Sequence, residues 1–200
     1  LSSILLFSTA LLGGTGVILF GFEKKIRLNL LISFSGAFLF TICISHLLPE
    51  VFSGESERPA YFILAGFFIQ LILEFFSKGI EHGHAHHHGE KNFPLALFLS
   101  LCLHALIEGM PLSGEFHFRS QLLIGIILHN IPITIVLSSL LLSRGLSKRG
   151  VTLSIFIFSI MAPIGMLCST YIYLSDLITD YLHLILSLII GMLLHISTTI

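Results

Sequence analysis

Seven apolar segments, each close to the length that a helix needs to cross a bilayer, follow one another along the chain. A spanning helix takes about 20 consecutive apolar residues, because the hydrocarbon core is about 30 Å thick. Hydrophobicity is continuous within each segment rather than alternating, which favours helices over the strands of a membrane barrel. The sequence therefore predicts an all-α, polytopic helical bundle in a membrane, with spans at 1–22, 28–48, 59–77, 93–113, 119–143, 150–174 and 182–200.

The scarcity of charge agrees with this prediction. Charged residues make up 10% of the chain and hydrophobic residues 54%, whereas soluble domains carry about 25% charged residues. The net charge is −1 and no basic stripe occurs, so we expect the lipid bilayer, and no nucleic acid, as a partner. Cys43, Cys102 and Cys168 lie inside apolar segments without a CxxC pair, and we expect them to act as small hydrophobic residues.

The distribution of positive charge predicts the orientation. Of the ten Lys and Arg residues, only Arg58 and Arg119 lie in the second and fourth loops. The other eight lie in the first, third and fifth loops: Lys24, Lys25, Arg27, Lys78, Lys91, Arg144, Lys148 and Arg149. Because cytoplasmic loops are enriched in Lys and Arg, we expect the odd loops in the cytoplasm and the N-terminus outside. The first segment has no initiator Met or basic start, so we do not expect it to be a signal peptide.

The third loop contains a histidine-rich tract, EHGHAHHHGE (81–90). Short histidine-rich tracts bind metals, and this one is interrupted and internal, unlike an expression tag. Without metal we expect the loop to be disordered, because it has no apolar face to bury. The tract predicts metal buffering or relay on the cytoplasmic side by His82, His84, His86, His87 and His88.

Two of the apolar segments carry polar groups near their middle. His104 and Glu108 are four residues apart and so lie on one helix face, and His129 and Asn130 occur in HNIPIT (129–134). Such groups are costly at bilayer depth unless they face a partner, a cavity or an ion. The alternative is a hydrogen-bonded contact between helices, and for Asn130 that alternative has equal weight. Imidazole and carboxylate are zinc ligands, so the pattern predicts an intramembrane metal site.

Several motifs in order resemble the ZIP (Zrt/Irt-like) family of divalent-metal transporters. The end of the second segment, HLLPE (46–50), is similar to the end of the family's second helix, and AGFFIQLILE (65–74) to its third. HALIEG (104–109) resembles the fourth-helix HNxxEG or HSxxEG signature, and HNIPIT the fifth-helix HExPHE signature. APIG (162–165) resembles an EPxG-like stretch of the sixth helix, and the histidine-rich loop lies where the family has one.

The resemblance implies a set of ligand positions, some of which are changed in this chain. The family's primary site maps to His104, Glu108, His129 and Ile133, and the last of these has no ligand atom. The second site maps to Ala105, Asn130 and Ala162, of which only Asn130 can bind a metal. We therefore expect one site with three protein ligands and an open position, as zinc sites often have, and no second site.

The resemblance implies transport of a divalent cation toward the cytoplasm, with no resident cofactor and no enzymatic activity. Zinc is the expected substrate, with Fe²⁺, Mn²⁺ or Cd²⁺ as alternatives, since His and Glu do not discriminate among them. An intramembrane zinc hydrolase, a non-transporting metal sensor and an inactive paralogue remain alternatives. A homodimer is a further expectation, although the sequence does not determine the oligomeric state.

The expected organisation has four parts. Residues 1–77 form three helices, 78–92 the cytoplasmic histidine-rich loop, 93–174 the helices of the metal site, and 175–200 the seventh helix. The family has eight helices, so we expect an eighth to lie beyond this sequence. In the predicted orientation His46 and Glu50 lie near the external face and are candidates for the entrance, and His195 lies toward the cytoplasm and is a candidate for the exit, with hydrogen bonding or packing as the equal alternative.

Overall fold

The residues that the structure describes form a bundle of seven helices. The computed structural model describes residues 1–21, 28–53, 58–80, 93–113, 119–174 and 182–199, and no strand occurs in these ranges. The helices are α1 Ser2–Phe20, α2 Leu28–Val51, α3 Arg58–Ser77, α4 Leu95–Ser113, α5 Arg119–Ser143, α6 Lys148–Leu174 and α7 Leu182–Thr199. The predicted all-α fold is confirmed, and each helix falls on one of the predicted apolar segments.

The helices α1 to α6 are each long and apolar enough to cross a membrane. The last helix, α7, is also apolar but shorter, with 18 residues. Because a continuous apolar helix satisfies all of its backbone hydrogen bonds internally, it is one of the few structures that a bilayer tolerates. The chain is therefore a multi-pass integral membrane protein.

Three of the helices depart from regular α-helical geometry. In α2, residues Cys43–Leu47 form a π-helical turn, a form that is frequent at functional sites. The last turn of α4, Met110–Ser113, is a 3₁₀ helix. Pro132 lies inside α5, where its missing N–H leaves the carbonyl of residue 128 without the usual helical hydrogen bond. Each irregularity lies on a helix that contributes predicted metal-path residues.

Glycines bring two pairs of helices into close backbone contact. On α3 and α7, a Cβ added at Gly66 would lie 1.8 Å from the Leu188 carbonyl oxygen, and one at Gly191 would lie 1.9 Å from the Ile63 carbonyl oxygen. On α4 and α6, a Cβ at Gly109 would lie 2.1 Å from the Ala162 carbonyl oxygen. Small residues permit such contacts between membrane helices, where lipid provides little hydrophobic drive for association. They fix α3 against α7 and α4 against α6.

The interior of the bundle is formed mainly by α4 and α5. In their most apolar 18-residue windows, 61% of α4 and 67% of α5 is buried, against 22% of α3. Helix α1 packs on α5 and α6, and α2 packs on α5 and α7. One buried apolar cluster includes Leu39, Ile126 and Ile190, and a second includes Leu101 and Ile133. The two helices with the predicted metal ligands are thus the most enclosed.

Candidate metal site

Helices α4 and α5 bring His104, Glu108 and His129 together inside the bundle. One possible ligand atom from each of the three lies within 4.8 Å of the others. The His104 Nε2 and Glu108 Oε2 atoms are 3.7 Å apart, as expected for residues one helical turn apart. The imidazole rings of His104 and His129 stand edge to face, with their centroids 6.0 Å apart. These are three of the residues predicted as ligands, although the sequence alone did not establish their contact.

The three side chains are almost completely shielded from the surroundings. Their exposed fractions are 1% for His104, 2% for Glu108 and 0% for His129. Burial of a carboxylate costs several kcal/mol or more unless an opposite charge or hydrogen bonds compensate it. A divalent cation held by all three groups would supply that compensation.

The geometry is close to what a zinc ion requires. With zinc–ligand bonds of about 2.1 Å, the ligand atoms of a tetrahedral site lie about 3.4 Å apart. The separation of 3.7 Å between His104 and Glu108 nearly meets this value. The ligand atoms of all three residues lie within 4.8 Å of one another. A small movement of the side chains would therefore bring them to the separations of a tetrahedral zinc site. Two imidazoles and one carboxylate match the ligand set of many zinc sites with an open position.

A glutamine on α3 contacts the same histidine from its other side. The His104 Nδ1 and Gln70 Oε1 atoms are 3.1 Å apart, and Gln70 is fully buried. Nearby on the same helix interface, the Ser100 hydroxyl donates a hydrogen bond to the Leu73 carbonyl oxygen at 2.6 Å. Helix α3 therefore supports the metal-site helix through two buried polar contacts.

A narrow crevice separates the site from α7. It is lined by His104, Ile107 and Glu108 of α4, and by Ile189, Met192 and Leu193 of α7. It is too narrow to hold a free water molecule. The apolar wall formed by α7 lowers the effective dielectric constant around the ligands and so strengthens their attraction for a cation.

Asn130 lies beside His129 on α5. Its side chain is 3% exposed, and its Oδ1 atom has no hydrogen-bond partner within the described ranges. A buried amide oxygen without a partner is uncommon in proteins. Among the described residues this oxygen accepts no interhelical hydrogen bond, and the role of Asn130 as a ligand stays a prediction.

The predicted path residues lie outside the three-residue group. His195 of α7 pairs with Glu74 of α3, with Nε2 and Oε2 2.5 Å apart, and its ring stands edge to face with that of Phe67 at 4.6 Å. His46 lies in the π-helical turn of α2 and is exposed on the bundle surface, while Glu50 is half-buried. The structure thus places His195 in a partly buried polar contact and His46 at an exposed position of α2.

The three positions without ligand atoms lie in apolar surroundings. Ile133 and Ala105 belong to the same buried apolar cluster, with exposed fractions of 1% each. Ala162 belongs to the other cluster, and its carbonyl oxygen lies directly against Gly109, next to Glu108 in sequence. Hydrophobic side chains therefore pack at these positions, and none of them can contribute a ligand.

The histidine-rich tract cannot be compared with the structure. Its residues, His82, His84, His86, His87 and His88, lie outside the described residues. The same holds for most of the first loop and for Lys91, which contribute to the predicted orientation.

Two polar residues of α3, Gln70 and Glu74, were not predicted as part of a site. They are four residues apart in an otherwise apolar helix, which is the spacing that identified His104 and Glu108. Applied to the third segment, the same criterion of paired polar groups within a membrane span would have identified them.

Comparison with known proteins agrees with the geometry. The family described as "ZIP Zinc transporter" matches residues 91–199, more than half of the chain and the part that holds the three clustered residues. A relative named "Zinc transporter ZIP1", from Danio rerio, is 25% identical over 191 residues, covering 70% of this chain. The chain spans 63% of the length of that curated relative. By the match to more than half of its length, the chain belongs to the ZIP zinc transporter family.

Proposed function

We propose that the chain transports a divalent metal cation, most directly Zn²⁺, through a site formed by His104, Glu108 and His129. One observation carries the proposal: three ligand atoms within 4.8 Å of one another, on buried side chains in two membrane-spanning helices. Ionisable groups at this depth are rare and usually functional. The family relationship favours transport over the hydrolase alternative.

A site with three protein ligands suits an ion that has to leave again. Conduction needs binding that is strong enough to admit the ion and weak enough to release it. Ile133, Ala105 and Ala162 bring no further ligand atoms, so the open position is left to water or to Asn130. We include Asn130 in the site because its buried amide oxygen has no other partner among the described residues.

The proposed direction is toward the cytoplasm. It follows from the family resemblance. The charge bias of the loops supports the orientation, in which α3 and α7 end at the cytoplasmic face. The Glu74–His195 pair lies near those ends, one helical turn beyond Gln70 on α3. We propose that this pair lies on the exit path and that His46 and Glu50 lie near the entrance. The histidine-rich loop would then capture or buffer the ion after its release.

Metal uptake into proteoliposomes tests the function. Purified protein is reconstituted, and zinc accumulation is followed with an internal fluorescent indicator. A transporter produces saturable accumulation above protein-free vesicles, whereas a sensor binds zinc without accumulation. A hydrolase is distinguished by zinc-dependent turnover of a lipid amide or peptide substrate without accumulation. Fe²⁺, Mn²⁺ and Cd²⁺ as competitors establish the selectivity.

The loop orientation is tested separately. Single cysteines are introduced at Ser53 and Ser147 in a variant in which Cys43, Cys102 and Cys168 are replaced by Ala. In intact cells, a membrane-impermeant maleimide is expected to label position 53 and not position 147. The reverse labelling would contradict the proposed orientation while leaving the metal site untouched.

A further inference from the structure

Gln70 is a buried polar residue on the lipid-facing helix α3. Its side chain has no exposed surface, and its Nε2 atom has no hydrogen-bond partner in the described part of the chain. Burying an amide nitrogen without a hydrogen-bond acceptor is unfavourable. An apolar residue at this position would avoid that cost, so the hydrogen bond that the Gln70 side chain makes within the described ranges requires an explanation.

The contact determines which nitrogen of His104 carries the proton. An amide Oε1 atom can only accept a hydrogen bond, so the Nδ1 atom of His104, 3.1 Å away, is the donor. A neutral imidazole has one N–H, so Nε2 then holds the lone pair. Nε2 is the atom that faces Glu108, at 3.7 Å from Oε2. The contact thus presents the metal-binding nitrogen on the side of the proposed ligands.

We propose that Gln70 is a positioning residue for the metal site, which orients His104 and fixes the Nδ1–H tautomer so that Nε2 is available for the cation. The proposal rests on the proposed function of the three-residue site. Metal-binding histidines typically donate their second N–H to a carboxylate, carbonyl or water, and losing that partner costs 10- to 100-fold in metal affinity or activity. Here the amide of Gln70 fills that role from a third helix.

The alternative explanation is that Gln70 only holds α3 against α4. Ser100 provides the matched control, because its hydroxyl donates a buried 2.6 Å hydrogen bond across the same interface to the Leu73 carbonyl oxygen and not to His104. If helix association were the whole role, Ser100→Ala and Gln70→Leu would have similar effects on zinc affinity. If Gln70 orients the ligand, only Gln70→Leu lowers it.

Equilibrium zinc titration of purified full-length variants provides the test. We expect Gln70→Leu to weaken zinc binding by about 10- to 100-fold and Ser100→Ala to leave it unchanged. Gln70→Glu keeps an acceptor for the Nδ1–H and is expected to bind zinc at least as tightly as the wild type. Size-exclusion profiles and thermal melts establish that each variant is folded.

A second measurement reads the tautomer directly. In protein with ¹⁵N-labelled histidine and no metal, the resonance that disappears in His104→Gln is expected to show a protonated Nδ1. In Gln70→Leu that resonance is expected to shift toward the Nε2–H form. A protonated Nε2 in the wild type would overturn the proposal, as would wild-type zinc affinity in Gln70→Leu.

Glu108→Gln separates this proposal from the proposed function. Weakened binding in Glu108→Gln together with unchanged binding in Gln70→Leu rejects only the role of Gln70. Unchanged binding in Glu108→Gln rejects the site itself, and the role of Gln70 with it.

Discussion

At the scale of single residues, the proposed site combines three candidate ligands with an apolar side chain where a fourth is expected from the family. Ile133 lies one helical turn after His129 on α5, is 1% exposed and packs in the same cluster as Ala105 of α4. Residues four apart share a helix face, so position 133 is within reach of an ion held by His129. In the proposed site, the lack of a ligand atom at position 133 would leave the cation less tightly held.

Ile133→Glu is therefore expected to tighten zinc binding and to slow turnover. A second carboxylate would complete four protein ligands, and its burial cost would be offset only when the metal is bound. A higher zinc affinity raises the free-energy barrier to release of the ion, so the maximal uptake rate is expected to fall. Zinc titration and uptake kinetics measure the two effects.

Ile133→Gln is the matched control for this substitution. It has the size of Glu, but its amide oxygen is neutral and a weaker ligand, so we expect a smaller gain in affinity. Equal zinc affinity in the wild type and in Ile133→Glu would show that position 133 does not face the ion.

At the scale of helices, α3 and α7 are in close contact where they carry the proposed exit residues. Gly66 and Gly191 allow the two backbones to meet, and the Glu74–His195 pair lies between the same two helices. Helix α3 also carries Gln70, which contacts His104. A displacement of α3 would therefore disturb both the site and the pair.

Gly191→Ala is expected to destabilise the protein. The added Cβ would lie 1.9 Å from the Ile63 carbonyl oxygen and 2.7 Å from the Phe67 backbone nitrogen, so the helices would have to separate. Overpacking of this kind costs about 1–3 kcal/mol, which should appear as a lower thermal midpoint in detergent.

Gly150→Ala is the control for the loss of a helical glycine. The Cβ there meets only the Ser147 hydroxyl oxygen, at 3.4 Å, and Ala is the better helix former. Its thermal midpoint is expected to equal or exceed that of the wild type. A thermal midpoint of Gly191→Ala equal to that of the wild type would mean that α3 and α7 do not meet at this glycine.

The helices themselves were predictable from sequence, and the contacts between them were not. Seven apolar segments predicted the seven helices because length and continuous hydrophobicity are properties of a single segment. The pairing of His104 with Glu108 was likewise readable, since it depends only on helical spacing. The proximity of His129, the support from Gln70 and the Glu74–His195 pair depend on how helices pack, which the apolar pattern does not encode. The family motifs indicated His129 but not the α3 residues.

At the scale of the whole molecule, α4 and α5, which carry the proposed metal site, lie within a bundle whose longest predicted loop is rich in histidine. We expect this loop to tune capture or release of the ion and not to be required for translocation. Replacing the five histidines with Ser is expected to reduce the number of zinc ions bound by the purified protein and to change uptake modestly. The five histidines to be replaced are His82, His84, His86, His87 and His88.

Isothermal zinc titration and uptake on the same preparation check this expectation. Complete loss of uptake in a folded variant would place the loop on the obligatory path. Unchanged zinc stoichiometry would mean that the tract does not bind the metal at all.

Zinc uptake by Glu108→Gln in proteoliposomes tests the central claim most directly. The substitution keeps the size of the side chain and removes the only carboxylate of the three-residue group. We expect saturable uptake to fall by at least about 100-fold. Losing a hydrogen-bond partner of a metal ligand typically lowers metal affinity or activity 10- to 100-fold, and losing the ligand itself should have a larger effect. His183→Gln, at an exposed position of α7, is expected to transport like the wild type. Wild-type uptake kinetics in a folded Glu108→Gln variant would contradict the account.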